Sequence, residues 1–90
     1  MEWLYARGIP IEAQFLYRKA ADLSRRGNDE SALNYLRQAV VIAPKYARAF
    51  FEMGNCLARL GRYDEAREKY ARATRIDPDL PQPDPKKRGE

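Results

Sequence analysis

Apolar residues recur along this chain at helical spacing, in four runs set apart by glycine or proline. Ala13, Leu16, Ala20 and Leu23 fall on one helical face, with Phe15 and Tyr17 beside them. Gly27-Asn28 then breaks the period, as expected of a helix C-cap and turn. A second run from Asp29 to Ile42 carries Ala32, Leu33, Leu36, Ala39 and Val40, and Asp29 and Glu30 occupy its first turn, where the helix dipole favours anions. Pro44 ends it, because the residue before a proline is pushed away from helical angles. The pattern then repeats: a helix over Ala47 to Leu60, a turn at Gly61-Arg62, and a partner helix over Tyr63 to Ile76 before Asp77-Pro78.

Pro10, Pro44 and Pro78 are spaced by 34 residues, and two copies of one hairpin hang on that ruler. Ala13/Ala47, Leu23/Leu57, Arg25/Arg59, Gly27/Gly61, Ala32/Ala66, Ala39/Ala73, Ile42/Ile76 and Pro44/Pro78 are identical. A fixed period with a helix-turn-helix reading predicts an all-α fold of two stacked hairpins, a short α-solenoid. The boundaries follow from the ruler: a first repeat over 13–46 and a second over 47–80. Residues 1–12 read either as an N-terminal cap or as the remnant of a preceding repeat. In that register Tyr5 stands where Ala39 and Ala73 stand, and Gly8 replaces Ile42 and Ile76. Residues 81–90, rich in proline and lysine, read as a flexible, disordered tail.

The second copy, from Ala47 to Pro78, closely resembles the tetratricopeptide repeat. The family's large residue, leucine-glycine pair, aromatic, alanine, aromatic, alanine and closing proline correspond here to Phe50, Met53-Gly54, Leu57, Ala66, Tyr70, Ala73 and Pro78. The first copy fits more loosely, through Leu16, Lys19-Ala20, Leu23, Ala32, Leu36, Ala39 and Pro44. Lys19 departs most, standing where a core leucine is usual. Small residues at Ala20/Gly54, Ala32/Ala66 and Ala39/Ala73 would let helices approach closely, with Leu16/Phe50 and Leu36/Tyr70 filling the gaps beside them. The resemblance implies a non-catalytic scaffold for protein-protein interaction, holding peptide segments of other proteins.

It also implies where such a segment lies, because in these repeats the first helix of each hairpin lines the concave face. The corresponding positions are Gln14, Tyr17, Ala21, Ser24 and Arg25 in the first copy, and Arg48, Phe51, Asn55, Ala58 and Arg59 in the second. From these the peptide-binding groove is expected at Gln14, Tyr17, Arg25, Arg48, Phe51, Asn55 and Arg59. Tyr17 and Phe51 offer apolar contact, Asn55 can hydrogen-bond a peptide backbone, and the arginines suit carboxylates, so an extended acidic peptide is the expected partner. Phe51 points roughly 100° away from Phe50 around its helix, into the groove or against the neighbouring hairpin. A subclass of the family clamps the C-terminal carboxylate of heat-shock chaperones with lysine, asparagine and arginine. Asn55 occupies a clamp-type position, but Phe51 replaces the lysine, Glu52 stands where a polar or basic residue is expected, and two repeats are fewer than the clamp needs.

Composition narrows the remaining classes. The net charge of +4 is a mild surplus that favours acidic partners without requiring nucleic acid. RNA is the rival partner, since Arg18, Lys19, Arg25, Arg26, Arg48 and Arg59 all fall on first helices, yet Asp22 and Glu52 interrupt that surface. With no histidine and one cysteine, Cys56, the chain lacks the commonest general base and any multi-cysteine metal site. No catalytic residues, metal or cofactor are expected, and Cys56 reads as a packed core thiol. No apolar run approaches the roughly 18 residues of a membrane span, and the N-terminus lacks a signal-peptide pattern, so a cytoplasmic location is the default expectation. Without an obvious polar capping helix after Pro78, Tyr63 and Tyr70 are expected to stay uncovered, which allows a homodimer or a module of a longer array.

Overall fold

The computed structural model describes residues 8–80. The readings made for residues 1–7 and 81–90 lie outside these. Four helices follow one another: α1 (Ile11–Arg25), α2 (Asp29–Ile42), α3 (Ala47–Arg59) and α4 (Tyr63–Ile76), with no strand among the described residues. α1 packs on α2 and α3 on α4, and the two hairpins stack chiefly through α2 against α3. The fold is all-α, two stacked helical hairpins.

The two hairpin turns are built alike. After α1 the Asn28 amide donates to the Leu23 carbonyl at 2.9 Å and the Gly27 amide to Ser24 at 2.9 Å. After α3 the Arg62 amide donates to Leu57 at 2.8 Å and the Gly61 amide to Ala58 at 3.0 Å. This double closure requires a left-handed residue, and Gly27 and Gly61 both take φ of +83°. The α2–α3 connection is tight as well, with the Tyr46 amide donating to the Ala43 carbonyl at 3.0 Å.

Alanines set the spacing between helices. Ala13, Ala20, Ala32, Ala39, Ala49, Ala66 and Ala73 are all buried, and Leu33, Leu36, Leu57 and Cys56 are the largest side chains fully enclosed between them. Each such leucine contributes about 2–3 kcal/mol of burial.

The two ends of the stack differ. α4 presents Arg67, Glu68, Ala71 and Arg75 outward and buries only Ala66 and Ala73, so its outer face is polar. Tyr63 is exposed as expected, but Tyr70 is not: it is half-buried, its ring 5.5 Å from that of Phe51 and its hydroxyl hydrogen-bonded to Asn55. At the other end Lys19 points to solvent, whereas its counterpart Met53 is buried. Among the described residues α3 is flanked by α2 and α4, whereas α1 packs chiefly on α2, so the charge replaces a core leucine where no described helix covers it.

Candidate functional site

The seven residues expected to line the groove fall into three groups along α1 and α3. Gln14, Tyr17 and Arg48 share an open cleft of about 690 Å³ beside the α2–α3 connection. Its wall includes two cations not assigned to the groove from the sequence, Arg18 and Lys45, and Tyr46; among the described residues Asp77 is its one acidic lining residue. Tyr17 and Tyr46 stack at 5.4 Å with a 37° tilt. Gln14 anchors the chain entering α1, its Nε2 donating to the Ile9 carbonyl at 2.9 Å.

Burial pushes the Tyr17 hydroxyl above its ordinary pKa and the nearby Glu52 charge adds to this, while Arg48, hydrogen-bonded to that hydroxyl, opposes them. Tyr46 is pushed up to about 12, first by burial and then by Tyr17. Both phenols are neutral at physiological pH, so the cleft offers hydroxyl groups and aromatic surface beside cationic side chains.

Phe51 and Asn55 form the middle group, around Tyr70. Phe51 packs on Tyr70 of its own hairpin, a contact that neither orientation expected from the sequence included. Asn55 Oδ1 accepts the Tyr70 hydroxyl at 2.6 Å. That bond uses the acceptor end and orients the amide group.

Arg25 and Arg59 form the third group and are each held within the chain. Arg25 is exposed and pairs with Asp22 at 3.6 Å. Arg59 crosses to the first hairpin, where its Nε donates to both oxygens of Asp29 at 3.1 and 3.2 Å and its Nη2 donates to Ser24 Oγ. Ser24 in turn donates to Asp29 at 3.0 Å. Arg59 is therefore a clasp between hairpins, with its Nε held by the buried Asp29 carboxylate and its Nη2 by Ser24. Its identity with Arg25 on the ruler gave no sign of this, because the partner comes from a preceding hairpin that Arg25 lacks among the described residues.

Cys56 is fully buried, and burial raises its thiol pKa, with a Ser24 hydrogen bond opposing. Among the described residues no three metal-ligating side chains cluster, and no helix is long and apolar enough to cross a membrane.

The profile of the tetratricopeptide repeat matches residues 17–81. An uncharacterized protein of Methanocaldococcus jannaschii is 35% identical over 69 residues, covering 77% of this chain and 80% of its own length. The small glutamine-rich tetratricopeptide repeat-containing protein 2 of Mycosarcoma maydis is also 35% identical over 69 residues, but those are 77% of this chain and 20% of that protein. Human tetratricopeptide repeat protein 6 is 26% identical over 74 residues, which make up 82% of this chain and 14% of the human one. The match runs from within α1 through α4 and takes in both glycine turns, and on these grounds the chain belongs to the tetratricopeptide repeat family, whose helical hairpins serve as protein-interaction scaffolds.

Proposed function

We propose that the chain docks an extended, acidic segment of another protein along α1 and α3, with the cleft between Tyr17 and Arg48 as its main contact. One observation carries this reading: among the described residues the cleft is lined by three cations, Arg18, Lys45 and Arg48, and one acid, Asp77, together with the paired Tyr17 and Tyr46 rings. Cations and aromatic rings lining one cleft suit a chain that alternates carboxylates with apolar side chains. Gln14 faces the same cleft, and the segment continues past Phe51 and Asn55, whose amide group is oriented by Tyr70. Arg25 and Arg59 lie further along, and a ligand carboxylate reaching them competes with Asp22 and Asp29, so they contribute less than Arg48.

The test is fluorescence anisotropy with a labelled peptide alternating glutamate and leucine, beside a lysine/leucine control. The acidic peptide is expected to bind, to weaken with salt, and to lose affinity severalfold in Arg48→Glu and Lys45→Glu with helicity unchanged. The double variant Arg48→Glu/Phe51→Ala is expected to abolish binding. Equal binding of both peptides, or indifference to Arg48→Glu, sinks the assignment.

A further inference from the structure

The Tyr46 side chain ends in a donor without an acceptor. The residue is 7% exposed, yet its hydroxyl has no hydrogen-bond partner among the described residues. A buried phenol ordinarily finds one, because a polar group drawn out of water is otherwise left uncompensated. No side-chain oxygen or nitrogen fully closed from solvent lacks a partner among the described residues. The Tyr46 hydroxyl therefore opens on the cleft that the residue lines, within reach of a bound segment.

The charges around it select an anion. Burial and Tyr17 raise the pKa of this hydroxyl, while the charges of Arg48 and Arg18 both act against the rise. Two guanidinium groups thus lie within electrostatic reach of one neutral phenol. Lys45 lines the same cleft, directly before Tyr46 in the chain. None of these three cations is ion-paired among the described residues, whereas Arg25, Arg26, Arg59, Arg62 and Arg67 each hold an acid of the chain. Of the acids nearby, Asp77 lines the cleft with its Oδ1 accepting the Asp79 amide at 3.1 Å, and Glu52 acts on the Tyr17 hydroxyl. The described lining keeps a surplus of two positive charges. Ala47 and Arg48, at the start of α3, border the same space, and the first turn of α3 carries no acid to oppose an anion there.

We propose that this part of the cleft binds the phosphate of a phosphorylated serine or threonine in the docked segment, an inference that rests on the cleft being that segment's main contact. A phosphomonoester concentrates close to two negative charges near pH 7, and three acceptor oxygens, on one group. One oxygen accepts from the Tyr46 hydroxyl. The others pair with the arginine forks and the Lys45 ammonium, which suit phosphate as planar donors and as a point charge. A single carboxylate leaves half of the surplus uncompensated. Two carboxylates do not replace the phosphate, because same-side residues of an extended chain stand about 7 Å apart, too far to share one hydroxyl.

The test scans the glutamate/leucine peptide, placing serine, glutamate or phosphoserine at each acidic position in turn, with anisotropy read on the full chain. At one position phosphoserine is expected to bind about tenfold tighter than glutamate, and serine most weakly. Tyr46→Phe keeps the ring and removes the hydroxyl; it is expected to cut the phosphoserine-to-glutamate ratio severalfold with helicity retained. Arg18→Gln, at an exposed position, lowers the same ratio should Tyr46→Phe disturb the fold. The chain has no histidine, so a rise in that ratio between about pH 5.5 and 7.5 reports the second ionisation of the phosphate. Phosphoserine no better than glutamate at every position, or a ratio unmoved by both variants, overturns the proposal and leaves the acidic-segment reading standing. Absence of binding by all of the peptides overturns both. Inorganic phosphate that displaces the phosphoserine peptide at equal concentration overturns the proposal in favour of a small-anion site.

Discussion

Arg59 of α3 and Asp29 of α2 meet at 3.1 Å across the junction of the two hairpins, with the Asp29 side chain 10% exposed and that of Arg59 49%. The carboxylate has left water and its compensation is local: Arg59 Nε on both oxygens and Ser24 Oγ on one. Half of the arginine remains in water, which screens the pair. Asp29→Ala and Arg59→Ala are each expected to lower stability by about 1–2 kcal/mol. In a double-mutant cycle by urea unfolding, the double variant should lose less than the sum of the singles by about 1 kcal/mol. Additive losses would mean that the pair carries no coupling.

Gly54 and Tyr70 form a second dependent pair. A Cβ at Gly54 would sit 2.6 Å from Tyr70 Cε1 and 2.7 Å from Cδ1, inside any tolerated contact. The ring has little freedom to retreat, being packed on Phe51 and tied to Asn55. Gly54→Ala gains about 1 kcal/mol of helix propensity but forces the ring aside, at a cost of about 1–3 kcal/mol. A net loss of thermal stability is expected. The first hairpin holds Ala20 and Leu36 at the same two positions. Adding Tyr70→Leu to Gly54→Ala should therefore recover part of the loss, and a further drop in midpoint would count against this packing.

The helices and their stacking were legible because the ruler repeats every signal: the glycine turns, the alanine spacers and the closing prolines each occur twice. What the ruler hides is the difference between its copies. Arg25 and Arg59 are the same residue in the same register, yet only Arg59 has a preceding α2 to offer it Asp29. Asp29 itself looked like a dipole-compensating acid at a helix start, and nothing in its position signals that Arg59 reaches it from the second hairpin. Lys45 and Tyr46 escaped notice for another reason. They precede α3, outside the stripe from which groove residues were read, and only the tight link at Ala43 brings Tyr46 onto Tyr17.

That tyrosine pair makes the fold sensitive to alkali. Tyr46 is 7% exposed, and its pKa rises from 10.0 to about 12, first through burial and then through Tyr17. Between those values the unfolded chain has released the Tyr46 proton while the folded chain retains it. Stability is therefore expected to hold up to about pH 10 and to fall as pH rises toward 12. Tyr17 is shifted in the same direction and adds to the slope. Tyr46→Phe should flatten the decline in urea midpoint over this range and remove the latest step from the tyrosinate absorbance titration. An unchanged slope in Tyr46→Phe would show that the hydroxyl ionises as freely in the folded chain as in the unfolded one.

Cys56 offers a probe of how the two hairpins part. Its thiol is fully buried and raised in pKa by that burial, with Arg59 Nη2 at 3.9 Å and Ser24 Oγ at 4.0 Å. A thiol reagent needs the exposed thiolate, so labelling of the native chain must wait for an opening. If the hairpins separate only on global unfolding, the labelling rate should follow the unfolding equilibrium, with the same urea dependence. Arg59→Ala should then speed labelling by the factor its stability loss predicts, about tenfold for 1.4 kcal/mol. A larger acceleration with weak urea dependence would place the opening at the α2–α3 junction alone. That result would identify the Arg59–Asp29 clasp as the latch between the hairpins.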